Sequence, residues 1–376
     1  MNENVKITST QLFFMMVGCR IMISYTYLPV LQLPPANQDV WIVIVLSFFY
    51  TLLLSIPLVY TANKFRNIPL KDYHEVILGK FFTKVLFILY AAFFCFLNFR
   101  TILVTLVFVN STILPETSTW LILIFILVPV VFASIMGLNS ISRLAYYIVP
   151  YVMFTIVLFF SLSIKDMDIR ILTPILKESK LLDINNSAFI TACLCAELVI
   201  LPMLTTNLKD NVKIFKVILT SSLCFTILFL LILFPTIMVL GYDLAKTAIN
   251  PYYLFTRQVQ AFSFVQRVES FNLMAWFITV LFKLSLHNYI AANLVSKCFK
   301  KVSFKFFAIP FILALCIVSN LPQIGNIYFL KIFIMPYLMP AVKFVFIFVV
   351  PSIILLIYFI RRKKIDPKLN ELRNQN

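Results

Sequence analysis

Long apolar stretches recur from one end of the chain to the other, at 11–32, 41–61, 83–109, 119–136, 142–163, 187–206, 213–240, 271–294, 304–322 and 338–360. A bilayer core takes ~20 apolar residues of helix, and with no water at that depth each segment must satisfy its own backbone hydrogen bonds. The chain therefore reads as an all-α membrane protein of about ten transmembrane helices. With 61% hydrophobic and 12% charged residues in a total of 376, little is left for a soluble module, and 1–376 is expected to form a single transmembrane domain.

The connectors between these stretches alternate between basic and non-basic. One side collects Lys6, the run Lys64, Arg66, Lys71, Lys80 and Lys84, then Arg143, Lys209, Lys213 and Lys216, Lys297, Lys300, Lys301 and Lys305, and the tail from Arg361 to Arg373. The other side holds only Lys165, Arg170, Lys177, Lys180, Lys246, Arg257, Arg267 and Lys331. Lys and Arg accumulate in cytoplasmic loops, so an even number of spans with both termini cytoplasmic is expected. The net charge of +17 then lies mostly against an anionic leaflet and implies no nucleic-acid partner.

The first span is too long for a signal peptide, is interrupted by Arg20 and lacks a small-residue cleavage site, so it is expected to be retained. All seven cysteines lie in or beside apolar spans, which argues against a disulfide framework. Cys193 and Cys195, two apart on a helix, point to different faces and make a poor metal pair.

Ionisable residues at membrane depth carry the functional information, since each costs ~3 kcal/mol at a helix centre unless it faces a partner or a cavity. Arg20, Arg100, Glu197, Lys283, His287 and Lys343 fall inside spans. Lys343 lies near the start of its span and is expected to snorkel to the outer interface. Arg100 could do the same, although Asn98, Thr101 and Thr105 give its helix a polar stripe at spacings of three and four. Arg20, Glu197 and Lys283 are too deep to escape. They form either a structural ion pair, Glu197 with Lys283 or Arg20, or a ligand site in which surplus positive groups meet an external carboxylate. His287 follows Lys283 by one turn and is either a core histidine or part of a proton relay with Glu197.

Pro29 and Pro202 interrupt spans 1 and 6, each the first of a group of five, as in transporters built from inverted repeats with two broken helices. Between spans 7 and 8, the outer connector 241–268 is expected to pack as short helices over the cavity mouth. Residues 71–84 read as an interfacial helix on the cytoplasmic leaflet, and the residues from Arg361 onward as a basic anchor.

Several stretches resemble the B subunits of the GerA-type nutrient receptors of endospore-forming bacteria. They are Gly241-Tyr242-Asp243, Asn250-Pro251-Tyr252-Tyr253-Leu254-Phe255-Thr256-Arg257, Arg267-Val268-Glu269-Ser270-Phe271, Trp276-Phe277-Ile278 and Phe282-Lys283-Leu284-Ser285. Further matches are Ile7-Thr8-Ser9-Thr10-Gln11-Leu12-Phe13, the stretch from Asp72 to Lys80 and Leu201-Pro202, so the resemblance covers the whole chain.

That resemblance implies an amino acid/polyamine/organocation transporter-like fold with two inverted five-helix repeats, about 11–163 and 187–360, and a short tail at 361–376. It implies a small germinant, often an amino acid, bound where related permeases hold substrate. It also implies an A-type and a lipoprotein C-type partner subunit in the spore inner membrane. Carried over by position, the broken stretches are Gly18 to Leu28 and Ala196 to Pro202. The candidate ligand contacts are Arg20, Ser24, Tyr25, Arg100, Glu197 and Lys283, with Glu197 and His287 as a candidate proton relay.

Permeases of this kind place glycines in the span 1 break, whereas this chain keeps only Gly18 there and has five glycines in all. Arg20 is therefore expected to supply the charge for a ligand carboxylate. Neither histidine has a metal-spaced partner and Gly79-Lys80 lacks a phosphate-loop pattern, so neither an enzyme nor a cofactor is expected. The readings that remain are a receptor subunit, a proton-coupled amino acid or amine permease, and a scaffold or ion-conducting subunit with a decayed cavity.

Overall fold

The computed structural model describes residues 6–26, 28–35, 37–195, 197–259, 268–299, 302–321 and 338–375. Tyr27, Ala196, Arg267, Lys300, Lys301 and Lys331 lie outside the described residues. Within them the chain is helical, and its β structure is one parallel bridge between Ile7 and Leu208.

We number the helices α1 (Ser9–Thr26), α2 (Val40–Lys64), α3 (Leu70–Leu78), α4 (Lys80–Phe108), α5 (Thr119–Met136), α6 (Leu138–Ser163), α7 (Leu181–Cys195), α8 (Ile200–Leu204), α9 (Ile214–Leu240), α10 (Tyr242–Thr247), α11 (Pro251–Gln258), α12 (Glu269–Ser296), α13 (Phe304–Ser319), α14 (Met339–Phe344) and α15 (Val350–Gln375). A π-helical turn, Val345–Val349, joins α14 to α15. Eight helical segments among the described residues are long and apolar enough to cross a membrane. Two of the expected spans fall short of that measure: α1 carries Arg20 between polar ends, and α13 is 16 residues long.

Why these residues form helices that tolerate lipid is visible in the hydroxyls. Thr101, Thr105, Ser134, Thr226, Thr236 and Thr279 each donate to the carbonyl four residues back, so their polar atoms are satisfied without water. Elements end where the backbone must reverse. Gly79 (φ 87°) separates α3 from α4 and Gly137 (φ 83°) separates α5 from α6, conformations that a side chain rarely adopts. The interfacial helix expected over 71–84 is therefore shorter: it stops at Leu78, and Lys80 and Lys84 belong to α4.

Helices α1 and α12 form the centre of the bundle. α1 packs on α6, α9 and α12, while α12 packs on α4, α5, α6 and α13. α12 has the lowest hydropathy of the spanning segments because it carries Asn272, Lys283, His287 and Asn288 inside the protein. The periphery is the reverse: Phe49, Phe125, Phe132 and Phe154 are each more than half exposed. Such side chains have no place against water over so wide a surface, but lipid accommodates them.

The connectors are bound down on both sides. On the sparsely basic side, Asp39 accepts from the backbone N–H of Leu176 at 3.0 Å and from the Ser179 hydroxyl at 2.5 Å. On the basic side, Arg66 donates to the carbonyls of Val212 and Lys209. The residues from Arg361 onward continue α15 to Gln375, because Ile365, Leu369 and Leu372 present an apolar stripe, and α15 packs on α3. The described part of the outer connector, 241–259, forms short helices: α10 and α11 lie on α9, with α11 also touching α1 and α12.

Candidate functional site

Span 6 is broken, and span 1 is broken beside Pro29, at the far end of the stretch from Gly18 to Leu28. α7 ends at Cys195, α8 begins at Ile200, and Glu197 sits in the turn between them, its N–H donating to the Cys195 carbonyl at 3.0 Å. Pro202 occupies the first turn of α8, where a missing N–H costs no intrahelical bond. α1, by contrast, runs unbroken from Ser9 through Gly18 and Arg20 to Thr26. The interruption comes later, at Leu28 (φ 41°), followed by a 3-10 turn at Pro29–Gln32. Gly18 serves packing instead: a Cβ there would meet Val149 Cγ2 at 2.8 Å and Phe282 Cε1 at 3.0 Å.

Glu197 is the hub of a buried charge cluster. Its Oε1 accepts from Lys283 Nζ at 2.5 Å and from Lys343 Nζ at 3.2 Å. Its Oε2 lies 3.3 Å from His287 Nε2, without the alignment of a hydrogen bond. Lys343 Nζ also donates to the Leu194 carbonyl at 2.6 Å, capping the last turn of α7. The snorkelling expected of Lys343 is thus overturned: the side chain is fully buried and points inward from α14. Depth along a helix does not reveal which way a side chain faces.

Arg20 is buried nearby but does not pair with Glu197. Its Nη1 donates to the Ser222 hydroxyl at 2.9 Å and its guanidinium lies 6.0 Å from the centre of the Phe225 ring, both on α9. Nε and Nη2 of the same group have no protein acceptor. Arg100 is also buried, so it does not snorkel, and it is near enough to Lys343 and Cys195 to interact electrostatically with both. In the adjoining polar stripe, Asn98 donates to the Leu284 carbonyl on α12 at 3.2 Å, so that face meets protein.

Ser24 and Tyr25 are set apart from the cluster. Ser24 donates to the Ile21 carbonyl of its own helix at 2.8 Å. Tyr25 shares a hydrogen bond with Thr155 at 3.1 Å and meets the Tyr252 ring of α11 edge-on at 5.1 Å. The structure therefore gathers Glu197, Lys283 and His287, adds Lys343, keeps Arg20 and Arg100 in the surrounding shell, and leaves Ser24 bonded within α1 and Tyr25 against α11.

Cys19 on α1 completes a trio with Glu197 and His287 whose ligand-type atoms lie within 4.8 Å of one another. Two ammonium groups already crowd the same carboxylate, which disfavours a divalent cation there. The trio suits proton exchange better. Neither Ser222 nor Cys19 stood out in the sequence. The pairing of Ser222 with an aromatic one turn later on α9 was the available signal, and it is common in apolar helices.

Comparison with known proteins identifies the family. A family model described as "Spore germination protein" matches residues 6–327. "Putative spore germination protein YfkT" of Bacillus subtilis (strain 168) is 22% identical over 288 residues, covering 75% of this chain and 77% of that protein. "Spore germination protein A2" of the same organism is 25% identical over 267 residues, covering 70% and 72% respectively. A multi-pass, all-helical chain that matches the family model over most of its length is a member of the spore germination protein family.

Proposed function

We propose that this chain is the membrane subunit of a spore nutrient-germinant receptor, the counterpart of a B subunit, which binds a small carboxylate-bearing ligand, an amino acid, beside Glu197. The observation that carries this reading is a charge imbalance. Lys283 and Lys343 share the single carboxylate of Glu197, Arg20 is buried nearby with its own contacts on α9, and all three cations are at least 99% buried among the described residues. Surplus positive charge in a low-dielectric interior is costly and favours an incoming anion. The unpartnered N–H groups of Arg20 suit bidentate capture of a carboxylate. Ligand binding favours one arrangement of the helices and biases the A-type and lipoprotein C-type partners through that shift.

In this reading the chain is one transmembrane domain of two inverted repeats, about 11–163 and 187–360, in the spore inner membrane with both termini cytoplasmic. Tyr25, bonded to Thr155, meets the Tyr252 ring of α11, the helix that with α10 acts as a lid.

The test is germination of spores carrying Arg20→Ala or Glu197→Gln, with the amount of protein in the inner membrane measured in parallel. Both variants are expected to insert in the membrane and, per molecule present there, to lose the response to ligand. Variants that insert and respond like the parent would reject the cavity assignment.

A second reading, a proton-coupled amino acid or amine permease, is favoured by the close approach of His287 to Glu197, a pair able to exchange a proton. Vesicles containing only this chain separate the two. Saturable accumulation of labelled amino acid supports the permease, and binding without accumulation supports the receptor.

A further inference from the structure

One face of α15 changes character along its length. Ile353, Ile357 and Ile360 lie at spacings of four and three, and the same stripe continues as Arg361, Lys364 and Lys368. The apolar half faces Phe82, Val85, Leu86 and Leu89 of α4, which follow the same helical spacing. Between the two helices is a groove of about 590 Å³, lined also by Ile77 and Leu78 of α3 and by Arg361. A second cavity of about 720 Å³ continues from Ile360 and Arg361 along Lys363, Lys364 and Lys368. Ile360 and Arg361 line both, so a channel that is apolar along one half of α15 adjoins a basic one along the other.

We propose that this channel is a binding site for an anionic phospholipid, with an acyl chain between α4 and α15 and the phosphate among Arg361, Lys364 and Lys368. Charge complementarity selects the occupant. Those three basic side chains are exposed, and the acidic group closest in sequence, Asp366, is engaged by Tyr358 at 2.8 Å and by Arg362 at 3.1 Å. The seven-residue rise from Phe82 to Leu89, and equally from Ile353 to Ile360, gives the apolar part a depth of ~10 Å, enough for the upper half of an acyl chain. Arg361 marks the boundary between hydrocarbon and headgroup, the level at which a guanidinium meets a phosphodiester in a membrane. A peptide partner would leave the apolar half facing lipid on a surface that lies within the bilayer.

The experiment uses the full-length protein reconstituted in vesicles of equal parts phosphatidylglycerol and phosphatidylcholine, then extracted in mild detergent and analysed for retained lipid by native mass spectrometry. Retention of phosphatidylglycerol over phosphatidylcholine by at least about fivefold is expected, the factor for ~1 kcal/mol per basic group near an anionic headgroup. Arg361→Ala with Lys364→Ala and Lys368→Ala should abolish the preference. The control triple variant Lys209→Ala, Lys213→Ala and Lys216→Ala, which removes equal charge from the same membrane face, should keep it. Leu89→Trp, which fills the apolar half, should lower retention of both lipids. No preference in the parent, or equal loss in the two triple variants, overturns the proposal, the latter by showing that surface charge alone accounts for it.

Discussion

Lys343 and Glu197 stand 146 residues apart in the chain, yet the Lys343 ammonium lies 3.2 Å from Glu197 Oε1 and 2.6 Å from the Leu194 carbonyl. One side chain thereby completes both the ion cluster and the frayed end of α7. Replacing it with Met keeps the apolar stem and removes the charge-assisted bonds, each worth ~1.5–3 kcal/mol. We expect Lys343→Met to lower stability by ~2–3 kcal/mol in thermal unfolding of the detergent-solubilised protein. A snorkelling lysine would show a change within ~0.5 kcal/mol.

Glu197 neutralises two lysines that have no water to turn to. Glu197→Ala is expected to destabilise by ~3–5 kcal/mol, because an unpaired buried charge costs more than the pair returns. Adding Lys283→Met and Lys343→Met to Glu197→Ala should recover most of that loss. A triple variant as unstable as the single one would mean that packing around Glu197, rather than charge balance, sets the cost.

Gly18 tests the packing of α1 against α6 and α12. With 2.8 Å to Val149 Cγ2 and 3.0 Å to Phe282 Cε1, an added methyl must displace a stiff valine or a ring. Gly18→Ala is expected to cost ~1–3 kcal/mol despite its better helix propensity, measured by the same unfolding assay.

His74, on the short helix α3, is buried between Tyr73 and Phe87, with Nδ1 2.7 Å from the Leu70 carbonyl. Burial pushes its ring down to about 4; the Leu70 carbonyl opposes this, and the charge of Lys297 adds to it. Above pH 6.5 the ring is neutral whether or not α3 is docked, and the docking is unaffected. As the pH falls from 6.5 to 4, the undocked ring takes a proton that the docked ring refuses, so docking weakens by up to ~3 kcal/mol. Hydrogen exchange of the α3 amides, corrected for intrinsic rates, should therefore accelerate over that interval, and His74→Leu should flatten the trend.

Much of the architecture was legible because lipid imposes harsh rules. Apolar runs of the right length reported the eight helical segments long and apolar enough to cross a membrane. The desolvation cost of Glu197 and Lys283 pointed to their meeting, as the 2.5 Å contact shows. Helix orientation was not legible. Nothing in the residues around Lys343 said that it faces inward, since a lysine near a span end reaches water or a partner with the same stem. The first break lies where Pro29 marks it, at the far end of the stretch from Gly18 to Leu28, because the residues after Gly18 are good enough helix formers to continue α1. The helical nature of the residues after Arg361 could have been read from Ile365, Leu369 and Leu372, whose spacing of four and three survives among the charges.

The union of α14 and α15 has a mechanical consequence. From Met339 to Arg373 the chain forms one helical segment of 35 residues, anchored at Lys343 in the charge cluster and resting on α3 at its far end. From Lys343 to Gln375 such a rod extends ~48 Å, so a pivot of ~5° at the buried end sweeps its tip through ~4 Å. A rearrangement of one carboxylate's neighbours, too small to open a gap between helices, would thus be magnified into a displacement that a protein waiting at the membrane surface could feel.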